Sequence, residues 1–192
     1  MGNKAATLSR TIIDERLDIL AVVETWHELS GSITLRRVVP AGFRCIDASR
    51  AIPLDVATGS VEFQNYGGLA FIHRDNIRFQ QRRFDVTVTT FEYLYGYATN
   101  PRGCFVLLAI YRPGSQAVTA SFFDDLSAVL ERLATYACPV IICGDLNVHV
   151  DQADDPNAAR LHQLLELLGY SQHVNEQTHT GGHTLDLVND KK

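Results

Sequence analysis

Residues 139–147, PVIICGDLN, decide the expected fold, because an apolar run ends abruptly in polar side chains. The run at 139–143 is rich in β-branched residues and predicts a buried strand. The two-residue period of a strand then places Asp145 and Asn147 on one side and returns Leu146 to the core. Polar residues after a buried strand are typical of active sites in α/β proteins. This stretch therefore predicts an α/β fold with a site at the end of this strand.

Helix and strand patterns alternate on both sides of this stretch. Apolar residues at helical spacing predict helices at 4–16, 120–136 and 157–168, the last one stopped by Gly169. Further strands are predicted at 18–23, 68–73, 84–97, 104–111 and 184–188. Residues 28–66 show no clear period and predict loops with short strands. Because helices and strands interleave, a layered α/β sandwich is expected.

Composition indicates one globular domain spanning residues 1–192. Hydrophobic residues make up 46% of the chain and charged residues 20%, which is ordinary for a globular protein. The 17 Lys and Arg against 22 Asp and Glu give a net charge of −5, which argues against a surface that is basic throughout. The net charge does not exclude a local basic rim on the protein surface. Its candidates for contact with a DNA backbone are Arg74, Arg78, Arg82 and Arg83, and the alternative is a solvated face.

The chain carries no export or membrane signal. Its first residues lack the apolar region of a secretion signal, and no stretch has the length of a membrane span. The four cysteines, Cys45, Cys104, Cys138 and Cys143, have no metal-ligand spacing. These features predict an intracellular protein with reduced cysteines and no membrane partner.

A carboxylate also follows a second apolar run. Glu24 comes directly after DILAVV at 18–23, and an acid at the edge of a core is costly unless a cation neutralises it. Mg²⁺ takes oxygen ligands from one or two carboxylates and would fill that role. The alternatives are a helix-capping partner and a surface ion pair.

Asp145 and Asn147 supply two groups that phosphodiester hydrolysis needs. An Asp can align or deprotonate water, and an Asn can hold a phosphate oxygen without adding a second negative charge. The alternative is an Asx-turn that closes the strand. Tyr111 and Arg112 follow another apolar strand and suit phosphate contact, whereas Pro113 also marks an ordinary turn.

The stretch HTGGHTLDLV at 179–188 places Asp186 within an apolar alternation, so its carboxylate is expected to need a buried partner. A zinc site of His173, His179 and His183 is weighed against structural histidines near a hairpin. The structural reading is favoured because a third close ligand is missing.

Three acids precede the helix at 157–168. They are Asp151, Asp154 and Asp155. Their expected role is to complement the dipole at the helix N-terminus.

Taken in order, these motifs resemble the endonuclease/exonuclease/phosphatase superfamily, and more narrowly the endonuclease domain of LINE-type (non-LTR) retrotransposons. The motifs are LDIL at 17–20, ETW at 24–26, GGLA at 67–70, YRP at 111–113, GDLN at 144–147 and GHTLDL at 182–187. The resemblance runs through nearly the whole chain. It implies a four-layer α/β sandwich, with two mixed β-sheets flanked by helices.

The resemblance also implies catalytic roles for four residues. Asp145 resembles the residue that activates water, and Asn147 resembles the one that holds the scissile phosphate. Tyr111 is similar to the family tyrosine at the phosphate. Asp186 is similar to the acid that pairs with the catalytic histidine.

Metal and substrate contacts are implied in the same way. Glu24 resembles the Mg²⁺ ligand, with Mn²⁺ as the alternative ion. Thr178 matches a threonine near the DNA-contacting edge, and Arg112 joins it as a substrate-binding candidate. The implied partner is the DNA backbone, and the implied location is the nucleus.

The sequence departs from the family pattern at both ends. Members begin with a strand that bears an active-site Asn and end with one that bears Ser-Asp-His, and residues 1–192 contain neither. The first and last strands are therefore expected to be missing. A lost general acid costs about 10²- to 10⁴-fold in rate, and open sheet edges invite pairing with another chain.

The sequence therefore predicts a Mg²⁺-dependent phosphodiesterase that nicks one DNA strand, with weak or no activity as this chain. One alternative is a catalytically silent, retroelement-derived remnant that binds DNA or a protein. The other is a phosphomonoesterase or phospholipid phosphodiesterase of the same fold.

Overall fold

The computed structural model describes residues 2–27, 33–49, 67–152 and 154–191. The chain forms two compact units, Met1–Ile77 and Arg78–Lys192. Each unit has its own β-sheet. The organisation as one domain therefore stays a prediction.

The first unit builds a three-stranded antiparallel sheet. Its elements are helix α1 (Gly2–Asp14), strand β1 (Ile19–Val23), helix α2 (Ile33–Arg36), strand β2 (Phe43–Ala48) and strand β3 (Leu69–Arg74). Strand β3 lies between β1 and β2. As the central strand it is the most buried of the three, whereas β1 is half-buried along its whole length. Ile12 of α1 packs with Val38 and Ile72 in the core of this unit.

The second unit builds a six-stranded mixed sheet in the order β4-β5-β6-β7-β9-β8. Strands β6 and β7 run parallel, and the other neighbours run antiparallel. The elements are β4 (Arg78–Arg82), β5 (Glu92–Asn100), β6 (Gly103–Tyr111), α3 (Ala120–Ala134), β7 (Val140–Asp145), α4 (Pro156–Leu167), β8 (Ser171–Gln172) and β9 (Asp186–Lys191).

Helix α3 connects the parallel strands β6 and β7 and covers them with an apolar face. Thr119 caps its start by accepting a hydrogen bond from the Phe122 N–H, which satisfies a donor that the first turn leaves unpaired. Phe122, Leu126 and Leu130 of the helix lie in one buried cluster with Leu108 and Ile142 of the two strands. A right-handed crossover helix is the usual link between parallel neighbours.

The α/β class is confirmed, with two β-sheets and interleaved helices. Helices α1, α3 and α4 lie where the apolar spacing predicts them, and Gly169 has the positive φ (77°) expected after α4. The final strand lies later than predicted, at Asp186–Lys191 instead of 184–188. No helix in the described ranges is long and apolar enough to cross a membrane.

The strand predicted at 84–97 is wrong in its first half. Residues 84–91 form no strand, and β5 begins at Glu92. The backbone N–H groups of Thr89 and Thr90 instead donate to the Asp125 carboxylate on α3. Strand β4 was missed because its sequence, RFQQR, is polar, as suits an exposed edge strand.

Candidate active site

Three strand ends meet in register at one edge of the second sheet. Tyr111, the last residue of β6, pairs with Asp145, the last residue of β7, and Asp145 pairs with Asp186, the first residue of β9. Paired residues on neighbouring strands direct their side chains to the same face of the sheet. Tyr111 is only 4% exposed, whereas both carboxylates are half-buried. The predicted phenol and two predicted acids therefore form one row.

Gly144 allows β7 to lie close against β6 just before this row. Its φ is +131°, and a Cβ there would lie 1.9 Å from the backbone oxygen of Ile110. Only glycine fits such a position. The close contact between Gly144 and the Ile110 oxygen therefore fixes the backbone next to Asp145, and a side chain at position 144 would prevent that contact.

Asn147 closes the loop after β7 in a left-handed conformation, with a φ of 50°. Its backbone N–H donates to Asp145 Oδ1 at 2.8 Å, which is the Asx-turn foreseen as the alternative. Its side-chain Nδ2 donates to the Arg112 backbone oxygen, also at 2.8 Å. A Cβ on Gly114 would lie 2.6 Å from Asn147 Oδ1, so the absence of a side chain there admits the amide. The Asx-turn fixes Asn147 beside Asp145. Among the described residues, the second N–H of the Asn147 amide has no partner, so it is available to a ligand.

Arg112 holds this loop from inside the protein. The residue is 2% exposed, and its guanidinium donates to the backbone oxygens of Leu146, Asn147 and Gln116, each at 2.6 Å. Burial lowers the pKa of Arg112, and the Asp145 carboxylate opposes that effect. These contacts give Arg112 a role in positioning the loop, and its predicted contact with a phosphate stays a prediction.

Thr178 ties the segment before β9 to the strand itself. Its hydroxyl accepts hydrogen bonds from the N–H groups of Leu185 (3.0 Å) and Asp186 (3.1 Å). In the described part of the chain, no side chain forms a hydrogen bond or ion pair with the Asp186 carboxylate. The buried partner expected for Asp186 is therefore not among those residues, and the half-exposed position lowers the cost of lacking one.

Glu24 is an exposed residue of the first unit, directly after β1. Its φ of 53° lies in the left-handed region, which a non-glycine residue seldom occupies outside functional or tightly built sites. Behind it, Thr25 Oγ1 lies 2.5 Å from His27 Nδ1, and His27 Nε2 lies 2.9 Å from Asp47 Oδ2. This buried chain of polar side chains anchors the backbone that presents Glu24.

The GGLA motif at 67–70 also holds the loop after β1 in place. The backbone oxygens of Gly67 and Gly68 accept from the N–H groups of Trp26 and Thr25. A Cβ on Gly68, which has a φ of +86°, would lie 2.6 Å from Thr25 Oγ1. Glycine at this position therefore permits the loop after β1 to rest on the start of β3.

The four arginines of the predicted basic rim are placed differently from one another. Arg74 belongs to the first unit and forms an ion pair with Asp18 at 2.6 Å. In the second unit, Arg78 and Arg82 lie exposed on the edge strand β4, and Arg83 follows them, also exposed. The DNA-contact role of these exposed arginines stays a prediction.

The histidines weighed as a zinc site do not gather in one place. His173 pairs with Asp190 at 2.6 Å, and His179 accepts from the Gly181 N–H. His183 instead meets His149 and Asp151, and one ligand atom of each of these three lies within 4.8 Å of the others. The sequence missed this cluster because Asp151 and His183 are 32 residues apart and meet only through the register of β7 and β9.

The acids before α4 do not all have the role predicted for them. Asp155 is the N-cap of α4, accepting from the Asn157 N–H, as the helix-dipole interpretation requires. Asp151 instead accepts from the Thr184 N–H and contacts His183. The dipole interpretation is therefore wrong for Asp151.

The donors at the sheet edge fit a hard divalent cation. Asp145 and Asp186 are direct cross-strand partners, and like charges in such a pair repel each other across Cβ atoms about 5 Å apart. A divalent cation with a preference for carboxylate oxygens, such as Mg²⁺, relieves that repulsion. The two carboxylates of the row are thus chemically suited to hold a divalent cation.

Comparison with known proteins gives a consistent result. Residues 1–188 match the sequence profile of the Endonuclease/Exonuclease/phosphatase family. No curated protein matches the chain in sequence.

Several solved structures share the fold, and three of them are compared with this chain. The human Nocturnin catalytic domain with bound sulfate anion is 18% identical with a TM-score of 0.67, over 100% of this chain and 75% of its own. The endonuclease domain of TRAS1, a telomere-specific non-LTR retrotransposon, is 13% identical with a TM-score of 0.66, over 96% and 76%. A mannosyl-6-phosphatase of Bacteroides thetaiotaomicron is 11% identical with a TM-score of 0.67, over 99% and 77%.

Proposed function

The chain belongs to the Endonuclease/Exonuclease/phosphatase family, and from this premise we propose that it is a metal-dependent phosphodiesterase that nicks one strand of DNA. Members of this family hydrolyse phosphoester bonds. The motif spacing of the chain resembles LINE-type endonucleases, which makes DNA the proposed substrate and the nucleus the proposed location.

The observation that carries the proposal is the row of Tyr111, Asp145 and Asp186 across three neighbouring strands. Asp145 is the proposed base for water, at a position fixed by Gly144 and by the Asn147 turn. Asn147 offers its remaining amide N–H to a phosphate oxygen. Neutral donors aimed at developing charge are typically the largest source of rate enhancement in such reactions.

Mg²⁺, or alternatively Mn²⁺, is the proposed cofactor, and it would supply Lewis-acid stabilisation of charge on the phosphoryl oxygens. Glu24 is its proposed ligand. The left-handed backbone and the buried anchor of Thr25, His27 and Asp47 support that role. A Glu24→Gln variant should need a higher Mg²⁺ concentration for half-maximal rate, while Glu15→Gln, at an exposed site beyond α1, should not.

We expect slow turnover by this chain. The family resemblance pairs Asp186 with a catalytic histidine, and within the described ranges no histidine bonds to its carboxylate. Loss of one such group costs about 10²- to 10⁴-fold. Enzymes of this kind accelerate their reactions by about 10⁶-fold or more, so a measurable rate remains.

A second candidate is hydrolysis of a phosphomonoester. It is favoured by the mannosyl-6-phosphatase structure, whose TM-score of 0.67 is as high as that of the other two structures. The deciding experiment compares Mg²⁺-dependent nicking of supercoiled plasmid with phosphate release from mannose 6-phosphate. Nicking with no phosphate release supports the DNA-directed proposal, and phosphate release without nicking contradicts it.

A further inference from the structure

The segment after Asn147 and the turn before Asp186 meet in a cluster of two imidazoles and one carboxylate. His183 Nδ1 lies 3.0 Å from Asp151 Oδ2, and the rings of His149 and His183 have centroids 4.3 Å apart at an angle of 85°. One ligand atom from each of the three residues lies within 4.8 Å of the other two. We propose that His149, Asp151 and His183 bind a transition-metal cation of the Zn²⁺ type.

The chemistry of the donors selects the kind of ion. Imidazole nitrogen suits Zn²⁺ and other late first-row metals, whereas Mg²⁺ prefers oxygen. In a tetrahedral zinc site with bonds near 2.1 Å, neighbouring ligand atoms are about 3.4 Å apart. Side-chain movements of about one ångström are therefore enough to close this cluster around an ion. It differs from the Asp145–Asp186 row, which offers carboxylate oxygens only.

The backbone around the cluster is held without any metal. Asp151 Oδ1 accepts from the Thr184 N–H at 2.9 Å. The Val150 N–H donates to the Thr184 oxygen, and the His183 oxygen accepts from the N–H groups of Thr178 and His179. The ligands are thus positioned in advance, and loss of one imidazole is not expected to unfold the protein.

One imidazole nitrogen of the cluster is buried without a hydrogen-bond partner among the described residues. This atom is His149 Nδ1, and such a situation costs about 1–3 kcal/mol for a polar group. On the other side, the His183 and Asp151 side chains are 31% and 29% exposed. The cluster therefore contains a buried imidazole nitrogen without a protein partner beside two side chains that solvent reaches, so water is available as a fourth ligand.

A bound ion would link two segments that carry residues of the proposed active site. His149 lies two residues after Asn147, and His183 lies three residues before Asp186. The proposed site does not depend on the hydrolytic function, because its ligands are separate from Asp145 and Asp186. Its consequence for that function is a more rigid support for both.

The test is titration of the metal-free full chain with ZnCl₂ by calorimetry at neutral pH, in the presence of millimolar Mg²⁺. We expect one Zn²⁺ per chain, and an affinity at least about tenfold lower in His149→Gln and in His183→Gln, since even loss of an outer-shell partner costs 10- to 100-fold. His173→Gln is the matched control, because His173 also pairs with an aspartate, Asp190, but has no second imidazole beside it among the described residues.

Two further measurements distinguish this zinc site from the row at the sheet edge and from a simple ion pair. Asp145→Ala should keep full Zn²⁺ affinity, because Asp145 belongs to the row and not to the cluster. In the unaltered protein, one equivalent of Zn²⁺ should shift the ring resonances of two histidines that the variants identify as His149 and His183. Absence of stoichiometric binding, undiminished affinity in both cluster variants, or loss in Asp145→Ala would overturn the proposal and leave only the His183–Asp151 ion pair.

Discussion

A buried side chain of the second unit holds the proposed active-site loop. This side chain is Arg112, because its guanidinium bridges the backbone oxygens of Leu146, Asn147 and Gln116. Hydrogen bonds from a charged donor contribute about 1.5–3 kcal/mol each. The loop that presents Asn147 is therefore coupled to one buried residue.

Replacement of Arg112 by Lys tests this coupling. A lysine cannot reach three carbonyls with the planar fork of a guanidinium, so we expect the free energy of unfolding to fall by about 2–4 kcal/mol, with buried carbonyls left unsatisfied. The measurement is urea denaturation followed by circular dichroism. The control is Arg132→Lys, whose exposed ion pair with Asp85 is worth less than about 1 kcal/mol. Equal losses in both variants would contradict the role given to Arg112.

Asp125 provides a residue-level test that depends on pH. Burial raises the pKa of Asp125, but hydrogen bonds from the N–H and hydroxyl groups of Thr89 and Thr90 outweigh that and hold it below its ordinary value. Because the folded pKa is lowered, the stabilisation is complete above the unfolded value, near pH 4, and is lost as the pH falls through the folded value.

We therefore expect Asp125→Asn to lower the free energy of unfolding at neutral pH by about 1 kcal/mol. Below about pH 4 the difference from the unaltered protein should shrink. Urea denaturation at a series of pH values measures this difference. The control is Asp124→Asn, because Asp124 is the exposed neighbour of Asp125. If the free energy of unfolding of Asp125→Asn differs from that of the unaltered protein by the same amount at every pH, the charge of the Asp125 carboxylate is not the source of the stabilisation.

At the scale of secondary-structure elements, the approach of β7 to β6 determines where Asp145 lies. Gly144 and Gly103 both have positive φ, at 131° and 143°. A Cβ on Gly144 would meet the Ile110 oxygen at 1.9 Å, whereas one on Gly103 would meet nothing within 4 Å. Substitution of either glycine would strain the backbone, but only substitution of Gly144 would also produce a steric clash. A comparison of the two variants therefore distinguishes the two effects.

Gly144→Ala should therefore be much more damaging than Gly103→Ala. Both place a Cβ on a backbone with positive φ, a strain of about 1–3 kcal/mol, but only the first must also push two strands apart. We expect Gly103→Ala to fold with reduced stability and Gly144→Ala to lose nicking even where it remains folded. Thermal unfolding and plasmid nicking are the measurements. Similar behaviour of the two variants would argue against the close contact.

Sheet edges decide whether the protein pairs with another chain. In the described part of the second sheet, the edge strands are β4 and β8. Arg78 and Arg82 lie exposed on β4, and β8 has only two residues. Charged and short edge strands are two of the ways in which proteins prevent edge-to-edge association. In the second sheet, these features oppose the pairing that the sequence predicts.

The sequence predicted the elements whose pattern is local and missed those that depend on distant partners. Strand β7 and helix α3 follow from apolar runs and spacing alone, whereas β4 is polar and is a strand only because β5 pairs with it. The row of Asp145 and Asp186 could be anticipated because both acids follow or interrupt apolar strands. His149 and Asp151 could not be joined to His183 in the same way, since only the register of β7 and β9 brings them together.

At the scale of the whole molecule, the Asp145 edge of the second sheet is the proposed site of DNA phosphodiester hydrolysis with a divalent cation. The most direct test is a plasmid-nicking time course with the chain in excess, in Mg²⁺ and in EDTA. We predict slow nicking that requires Mg²⁺, falls by about 10²-fold or more in Asp145→Ala, and is unchanged in Asp124→Ala. Nicking that Asp145→Ala retains, or no Mg²⁺-dependent nicking at all, would contradict the claim.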